Sequence, residues 1–136
     1  MLQRLNPSSA PAPFSRYSQA VVAPEGYRWL HISGQVGCDR DRNIPAGFAP
    51  QAELAWGNLL GILKESGFEP GDLVKVTQLL TDAKDVPASR TIRDRMLGPV
   101  EPASTLMIVA GLAAPALCFE VEAIAARPAG AGRSGA

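Results

Sequence analysis

The amino-acid sequence predicts an α+β fold in which a sheet of five or six strands carries two helices on one face. Helical patterns at residues 51–66 and 86–97 are interleaved with short extended segments in the order ββ(β)αβαββ. Two helices can cover only one face of such a sheet. The strands predicted at residues 73–81 and 102–109 are nevertheless apolar on both faces. We therefore expect another copy of the chain to cover the second face, in a homo-oligomer.

The composition indicates one globular domain and excludes several functional classes. The chain has 136 residues, of which 46% are hydrophobic and 19% charged, and thirteen basic residues balance thirteen acidic ones. Balanced charge argues against a nucleic-acid partner, since nucleic-acid-binding proteins usually present a basic face. We see no signal-peptide core and no stretch of membrane-spanning length, so we expect a cytoplasmic protein without a membrane partner. Two cysteines and one histidine cannot complete a Cys₄ or Cys₂His₂ zinc site within one chain, and we expect no metal.

The N-terminal part of the chain is predicted to form an extended arm followed by a β-hairpin. Residues 1–16 are rich in proline, which favours an extended conformation over a helix. Residues 17–23 and 28–33 have β character and flank a Pro-Glu-Gly turn, so they are predicted to pair with each other. Gly34 and Gly37 then predict a bulge or a close approach of the backbone.

The first helix, at residues 51–66, has a regular apolar stripe and ends at Gly67. Gly57 and Gly61 lie on or beside that stripe, and we expect them to let the helix press closely on the sheet.

The second helix, at residues 86–97, has Pro87 in its first turn. Its charged side chains, Arg90 and Arg93 among them, are expected to point mostly outward. The last strand is predicted at residues 117–125. Residues 1–128 then form a single domain, and residues 129–136 a flexible tail.

Few side chains are candidates for catalysis on sequence grounds. Glu120 and Glu122 point to the same face of the last strand, and periodicity alone favours a solvated rim over a general base. His31 has no partner histidine, and structural roles are favoured for it and for Cys38 and Cys118 as buried, inert thiols. The sequence contains no nucleophile elbow, P-loop or dinucleotide-binding motif.

Four stretches, at residues 17–21, 32–36, 71–77 and 119–125, form a pattern that spans most of the chain. They read Tyr-Ser-Gln-Ala-Val, Ile-Ser-Gly-Gln-Val, Gly-Asp-Leu-Val-Lys-Val-Thr and Phe-Glu-Val-Glu-Ala-Ile-Ala. In order and spacing they resemble the Rid family of reactive intermediate deaminases, also called YjgF-like proteins. The resemblance implies a chorismate-mutase-like fold and a homotrimer whose sheets form a central β-barrel with the helices outside. It also implies hydrolysis of an imine or enamine to a keto acid and ammonia, without a cofactor, in clefts between subunits.

The resemblance also implies which residues line those clefts. Glu120 matches the glutamate that positions water, and Tyr17 matches a pocket tyrosine. Ser33 and Gly34 match a turn whose backbone lines the pocket. The implied cleft combines these residues of one chain with the second helix and two polar residues of the next chain, Ser104 and Thr105.

One position departs from the family pattern. Deaminating members carry Pro-x-Arg-Ser/Thr, whose arginine pairs with the substrate carboxylate, and here Ser104 stands in the arginine's place. A serine offers one neutral hydroxyl instead of a charged fork, a loss on the order of a few kcal/mol. No arginine occurs between Arg95 and Arg127, so a shifted alignment does not restore it. Arg90 or Arg93 is a hypothetical substitute, and Arg90 is counted among the binding residues.

Three functions stay open at this point. The first is hydrolysis or deamination of a different substrate, a neutral or larger imine, enamine or related metabolite, with Glu120 activating water and Ser104 or Thr105 donating hydrogen bonds. Efficient deamination of simple 2-imino acids is not expected from it. The second is a trimer that binds a small molecule without catalysis. The third, a ribonuclease or translation inhibitor, is disfavoured by the balanced charge.

Overall fold

The computed structural model describes residues 1–130, which contain six strands and two α-helices. The predicted α+β class is confirmed. In chain order the elements are β1 (Gln3–Leu5), β2 (Ala20–Val22), β3 (Tyr27–Val36), α1 (Phe48–Glu65), β4 (Leu73–Leu80), α2 (Val86–Leu97), β5 (Ala103–Ile108) and β6 (Phe119–Pro128). Short 3₁₀ turns at Pro70–Asp72 and Ala83–Asp85 lead into β4 and α2.

The main sheet has four strands in the order β3-β6-β4-β5, fewer than the five or six predicted. β6 pairs antiparallel with both β3 and β4, whereas β5 pairs parallel with β4. The parallel pair is joined through α2, as a parallel connection requires a crossover. β3 and β5 are therefore the two edge strands.

The predicted hairpin between residues 17–23 and 28–33 is wrong. β3 pairs with β6, a strand of equal length, because ten-residue partners satisfy far more backbone groups than a three-residue strand can. β2 instead pairs antiparallel with β1, which lies inside the arm predicted at residues 1–16.

Arg4 fixes β1 to the main sheet. Its guanidinium donates hydrogen bonds to the backbone oxygens of Leu73, Gly71 and Glu101, at 3.4, 3.1 and 3.0 Å. Burial lowers the pKa of Arg4, and the charge of Glu101 partly opposes that shift.

The hydrophobic core lies between the helices and one face of the main sheet. α1 contributes Trp56, Leu59 and Leu63, which pack with a set from β4 and β6 that includes Val76, Leu80, Phe119, Val121 and Ala123. Because successive strand residues point to opposite faces, the neighbours of these core residues lie on the other face. That face, called here the open face, bears exposed apolar side chains such as Trp29 (52% exposed) and Met107 (46%).

The two glycines of α1 do not have the packing role predicted for them. A Cβ atom added to Gly57 or Gly61 would meet nothing within 4 Å, and both residues are exposed. The expectation that they press on the sheet is wrong, because a rotation of 100° per residue carries residue 57 away from the stripe that contains Trp56. The close approach occurs at Gly37, where a Cβ would lie 2.5 Å from the Cα of Gln51.

The predicted bulge after residue 33 is confirmed by a register shift between Ile32 and Gln35 where β3 pairs with β6. At the other end of the domain, Ala129 donates a backbone hydrogen bond to Gly26 at 2.9 Å. Most of the predicted tail, residues 131–136, lies outside the described residues. In the part of the chain that the structure describes, neither α-helix has both the length and the apolar character needed to cross a membrane.

Candidate functional site

A cavity of about 210 Å³ lies between the N-terminal arm, α2 and β5, and is called here the arginine cavity. Three residues predicted from the sequence to bind a ligand, Tyr17, Arg90 and Ser104, meet in its wall. The complete lining is Phe14, Ser15, Tyr17, Val86, Arg90, Arg93, Ser104 and Leu106. The cavity is smaller than the ~300–1,000 Å³ typical of sites for drug-sized ligands, so it suits a small metabolite.

α2 directs two arginines into this cavity. Arg90 and Arg93 are three residues apart, so they lie on one side of the helix about one turn apart. Arg93 is only 4% exposed, which corrects the expectation that it points outward. Its burial is possible because Nε and Nη2 donate to Asp94 at 3.1 and 2.9 Å, while Nη2 also donates to the Ser15 hydroxyl at 3.3 Å. Arg90 stays exposed.

The arm is folded so that Ser15 and Tyr17 face α2. The Tyr17 backbone donates to the Ser15 carbonyl at 3.0 Å, and the Tyr17 hydroxyl accepts from the Phe14 backbone at 3.2 Å. Arg16 forms an ion pair with Asp94 at 3.3 Å. These contacts hold the arm over Arg93. Sequence reasoning did not assign roles to Ser15 and Asp94, which have no motif of their own.

Ser18 attaches the arm to the start of β5. Its backbone donates to the Pro102 carbonyl at 3.1 Å, and its buried hydroxyl donates to the Glu101 carbonyl at 2.5 Å. Ser18 and Ala103 also form a parallel bridge. The arm thereby extends the β5 edge of the sheet and closes one side of the arginine cavity.

A second group of predicted residues lies on the open face, around the bulge of β3. Glu120, on β6, is opposite Val36 and is partly buried. Its carboxylate lies directly over Gly34, because a Cβ atom on Gly34 would overlap Oε2 of Glu120. The glycine and the bulge therefore create the space that the carboxylate occupies.

A cavity of about 260 Å³ continues along the open face from this bulge. Its polar lining comes from Ser33, His31, Lys75, Thr77 and Glu122. The ammonium of Lys75 donates to the hydroxyl of Thr105 at 2.7 Å.

Thr105 and Ser104 therefore point to opposite faces of β5, although both were predicted for the same pocket. Ser104 faces the arginine cavity and Thr105 faces the open side.

One chain does not bring the two groups together. Tyr17, Arg90 and Ser104 are on the helix side of the sheet at the β5 edge, whereas Glu120 and Gly34 are on the open face beside the β3 edge. In the cleft expected from the sequence, Tyr17 was grouped with Glu120. The structure groups Tyr17 with Ser104 of its own chain, because the arm bridges to Ala103.

The remaining candidates from the sequence are the two cysteines and His31. Both cysteines are partly rather than fully buried, and burial raises the pKa of Cys118, with the charge of Asp85 adding to the shift. His31 is exposed on the open face, so its structural role is not that of a core residue. Within residues 1–130 there is no group of three or more His, Cys, Asp or Glu side chains arranged to hold a metal ion.

Comparison with known proteins gives matches over most of the chain. The family model for endoribonuclease L-PSP matches residues 7–127. The 2-iminobutanoate/2-iminopropanoate deaminase of Rattus norvegicus is 36% identical over 123 residues, which cover 89% of this chain and 87% of the rat protein.

Solved structures agree with that match. The Rid-family protein YyfB of Yersinia pestis, a protein of unknown function, superposes with a TM-score of 0.81 at 26% identity, covering 93% of this chain and 98% of that one. RidA from an Antarctic Psychrobacter superposes with a TM-score of 0.68 at 31% identity, covering 90% of this chain and 98% of that one.

Proposed function

This chain belongs to the endoribonuclease L-PSP family, to which the Rid proteins belong, and we propose that it is a homotrimer that hydrolyses the C=N bond of a small metabolite in clefts between its subunits. The observation that carries the proposal is the position of the Glu120 carboxylate over Gly34, where a bulge and a missing side chain leave room for it.

The arrangement of the two residue groups supports a cleft between subunits. Glu120 and the arginine cavity lie on opposite faces of the sheet, so a ligand can touch both only if two chains meet. The exposed apolar side chains of the open face, such as Trp29 and Met107, provide the surface for that contact. In this assembly Glu120 of one chain faces Tyr17, Arg90 and Ser104 of its neighbour.

The chemistry requires one base and several hydrogen-bond donors. Glu120 accepts a proton from water while the water oxygen attacks the imine carbon, and the C=N double bond becomes a single bond. That proton is passed to the imine nitrogen, which gives a carbinolamine with a hydroxyl and an amino group on the same carbon. The hydroxyl proton then moves to the amino nitrogen, through Glu120, as the C–N bond breaks, so ammonia leaves and the carbonyl forms. Water and imine are converted to ketone and ammonia, so no oxidant or cofactor is consumed.

The test is release of keto acid from 2-aminoacrylate or 2-iminobutanoate generated in situ. We expect Glu120→Gln to lower the enzymatic rate by about 10²-fold or more, since a general base contributes roughly 10²–10⁴-fold. Glu122→Gln is the matched control, two residues away on the same strand and exposed. Full activity in Glu120→Gln would exclude the assigned role of this carboxylate.

A second candidate is a trimer that binds the metabolite without hydrolysing it. Ser104 stands at the position of the family's arginine, so β5 offers no charged side chain there to bind a substrate carboxylate. This substitution favours binding without catalysis. Saturable binding of a keto acid, with no keto-acid release above the spontaneous rate, would identify it. RNA is a poor substrate candidate for both versions, because the thirteen basic residues are offset by thirteen acidic ones.

A further inference from the structure

We propose that the arginine cavity binds a carboxylate through Arg90 and Arg93, so that the anion-binding group of this protein is on α2 instead of β5. The inference rests on the proposed function to the extent that the cavity is one half of the ligand cleft. It names the ligand class, a small aliphatic carboxylic acid, and it concerns binding, which can be measured without turnover.

The charges around the cavity favour an anion. Arg90 and Arg93 line it, and Arg16 lies close by through its ion pair with Asp94. Asp94 is shared between Arg16 and Arg93, at 3.3 and 2.9 Å, so one carboxylate pairs with two guanidinium groups, and Arg90 adds a third positive charge to the wall. Among the described residues, no aspartate or glutamate lines the cavity itself. The excess positive charge is therefore available to a ligand.

The donors are positioned before a ligand arrives. Arg93 is almost fully buried and is held by Asp94 and Ser15, which use its Nε and Nη2. Within residues 1–130 its Nη1, the guanidinium of Arg90 and the hydroxyl of Ser104 form no hydrogen bond. A fixed guanidinium loses little freedom on binding, which favours affinity.

The rest of the lining limits the size and character of the ligand. The cavity of about 210 Å³ has apolar walls from Val86, Leu106 and Phe14. A short aliphatic chain fits against these walls while its carboxylate faces the arginines. A planar carboxylate can accept two parallel hydrogen bonds from one guanidinium, and Ser104 can donate a third.

Calorimetric titration with 2-oxobutanoate and its neutral amide, 2-oxobutanamide, tests the proposal. We expect the acid to bind the parent at least about tenfold more tightly than the amide, because the amide lacks the charge. Arg90→Gln should weaken binding of the acid about tenfold or more and leave the amide unchanged. Arg95→Gln is the matched control, since Arg95 is on the same helix but pairs with Glu53 at 3.0 Å.

Arg93→Lys provides a second variant that keeps the charge but loses the fork. It should weaken the acid less than Arg93→Gln does, and thermal unfolding of each variant shows whether the arm contact with Ser15 survives. Because Arg90 is exposed, Arg90→Gln gives the decisive result even if both Arg93 variants unfold.

Three results would overturn the inference: no binding of the acid, equal affinity for acid and amide, or undiminished binding of the acid by Arg90→Gln. Tighter binding of inorganic phosphate than of the acid would also overturn it, and would identify a phosphate site. If the parent releases no keto acid above the spontaneous rate but binds the acid in a way that depends on Arg90, the proposed hydrolysis is refuted and this inference is supported. If the parent hydrolyses the substrate but Arg90→Gln leaves its affinity for the acid unchanged, the proposed hydrolysis is supported and this inference is refuted.

Discussion

The carboxylate of Glu120 fills the space that a Cβ atom on residue 34 would need, so the two positions are sterically matched across β6 and β3. Gly34 lies within β3 and its φ is not positive, so neither a turn nor a left-handed backbone conformation explains why this residue is a glycine. Its lack of a side chain instead sets the position of the one carboxylate that the proposed reaction needs.

The first prediction concerns this pair. In Gly34→Ala the methyl group would meet the flexible end of the Glu120 side chain, so the carboxylate must move while the backbone stays. We expect keto-acid release to fall about tenfold or more, because displaced catalytic groups lose much of their effect. The melting temperature should change little. Gly71→Ala is the control, since a Cβ there meets nothing within 4 Å, and an equal loss of activity in it would contradict the assignment.

Much of the fold could be predicted from local patterns. The bounds of α2 and the strands β4 and β5 follow from apolar periodicity and from Pro87 and Gly98, and the structure agrees with them closely. The hairpin failed because strand pairing is a long-range property. A turn at Pro24–Gly26 predicts a reversal of the chain. It does not predict that β3 pairs with β6, which follows nearly a hundred residues later.

The site roles of the candidate residues stay predictions, and what the structure adds is which of them lie together in one chain. The family resemblance singled out Glu120, Gly34, Tyr17 and Ser104, and the structure places each beside a cavity or a bulge. It could not reveal that Tyr17 stays with Ser104, because that depends on the bridge between the arm and β5. The burial of Arg93 was also hidden, since a charged residue on a polar helix face normally indicates solvent exposure.

The second prediction uses the glycines of α1. Gly57 and Gly61 are exposed within a helix and would accept a methyl group without contact, so each glycine costs stability only through backbone entropy. We expect Gly57→Ala and Gly61→Ala each to raise the free energy of unfolding by about 0.5–1 kcal/mol, measured by chemical denaturation. Gly37→Ala should lower it by about 1–3 kcal/mol, because its Cβ would meet the backbone of Gln51. Destabilisation by the helix variants would restore the close-packing interpretation.

The third prediction concerns the thiol of Cys118. Burial and the charge of Asp85 raise its pKa, so less thiolate is present at neutral pH and the reaction with iodoacetamide should be slow. Asp85→Asn removes one of the two causes, and we expect faster labelling at pH 7–8 and a labelling curve shifted to lower pH. The measurement uses Cys38→Ser as the common background so that one thiol reacts. Identical pH curves with and without Asp85 would show that burial alone sets the reactivity.

The fourth prediction tests the assembly. Trp29 is 52% exposed on the open face, where the proposed subunit contact lies. A charge placed there would have to be buried on association, so we expect Trp29→Glu to shift the proposed trimer to smaller species in sedimentation experiments. Ile62→Glu is the control, because Ile62 is also an exposed apolar residue but lies on α1, away from the sheet. Dissociation by both variants, or by neither, would argue against an interface on the open face.

The fifth prediction asks whether β5 or α2 supplies the positive charge for a ligand carboxylate. Ser104 lines the same cavity as Arg90 and Arg93, so Ser104→Arg would put another guanidinium beside two existing ones. If α2 already binds the carboxylate, Ser104→Arg should change the affinity for 2-oxobutanoate by only a few-fold in the parent. In an Arg90→Gln background, the same substitution should recover about tenfold or more of the lost affinity, because it replaces the missing charge.

The two backgrounds together form a double-mutant cycle, in which residues that serve the same ligand group are not additive. Equal gains from Ser104→Arg with and without Arg90 would mean that the two positions act on different parts of the ligand. A large gain in the parent alone would mean that the cavity lacks a carboxylate-binding group until residue 104 provides it. The expected cycle, with a small gain in the parent and a large one without Arg90, would place the function of the absent β5 arginine on α2.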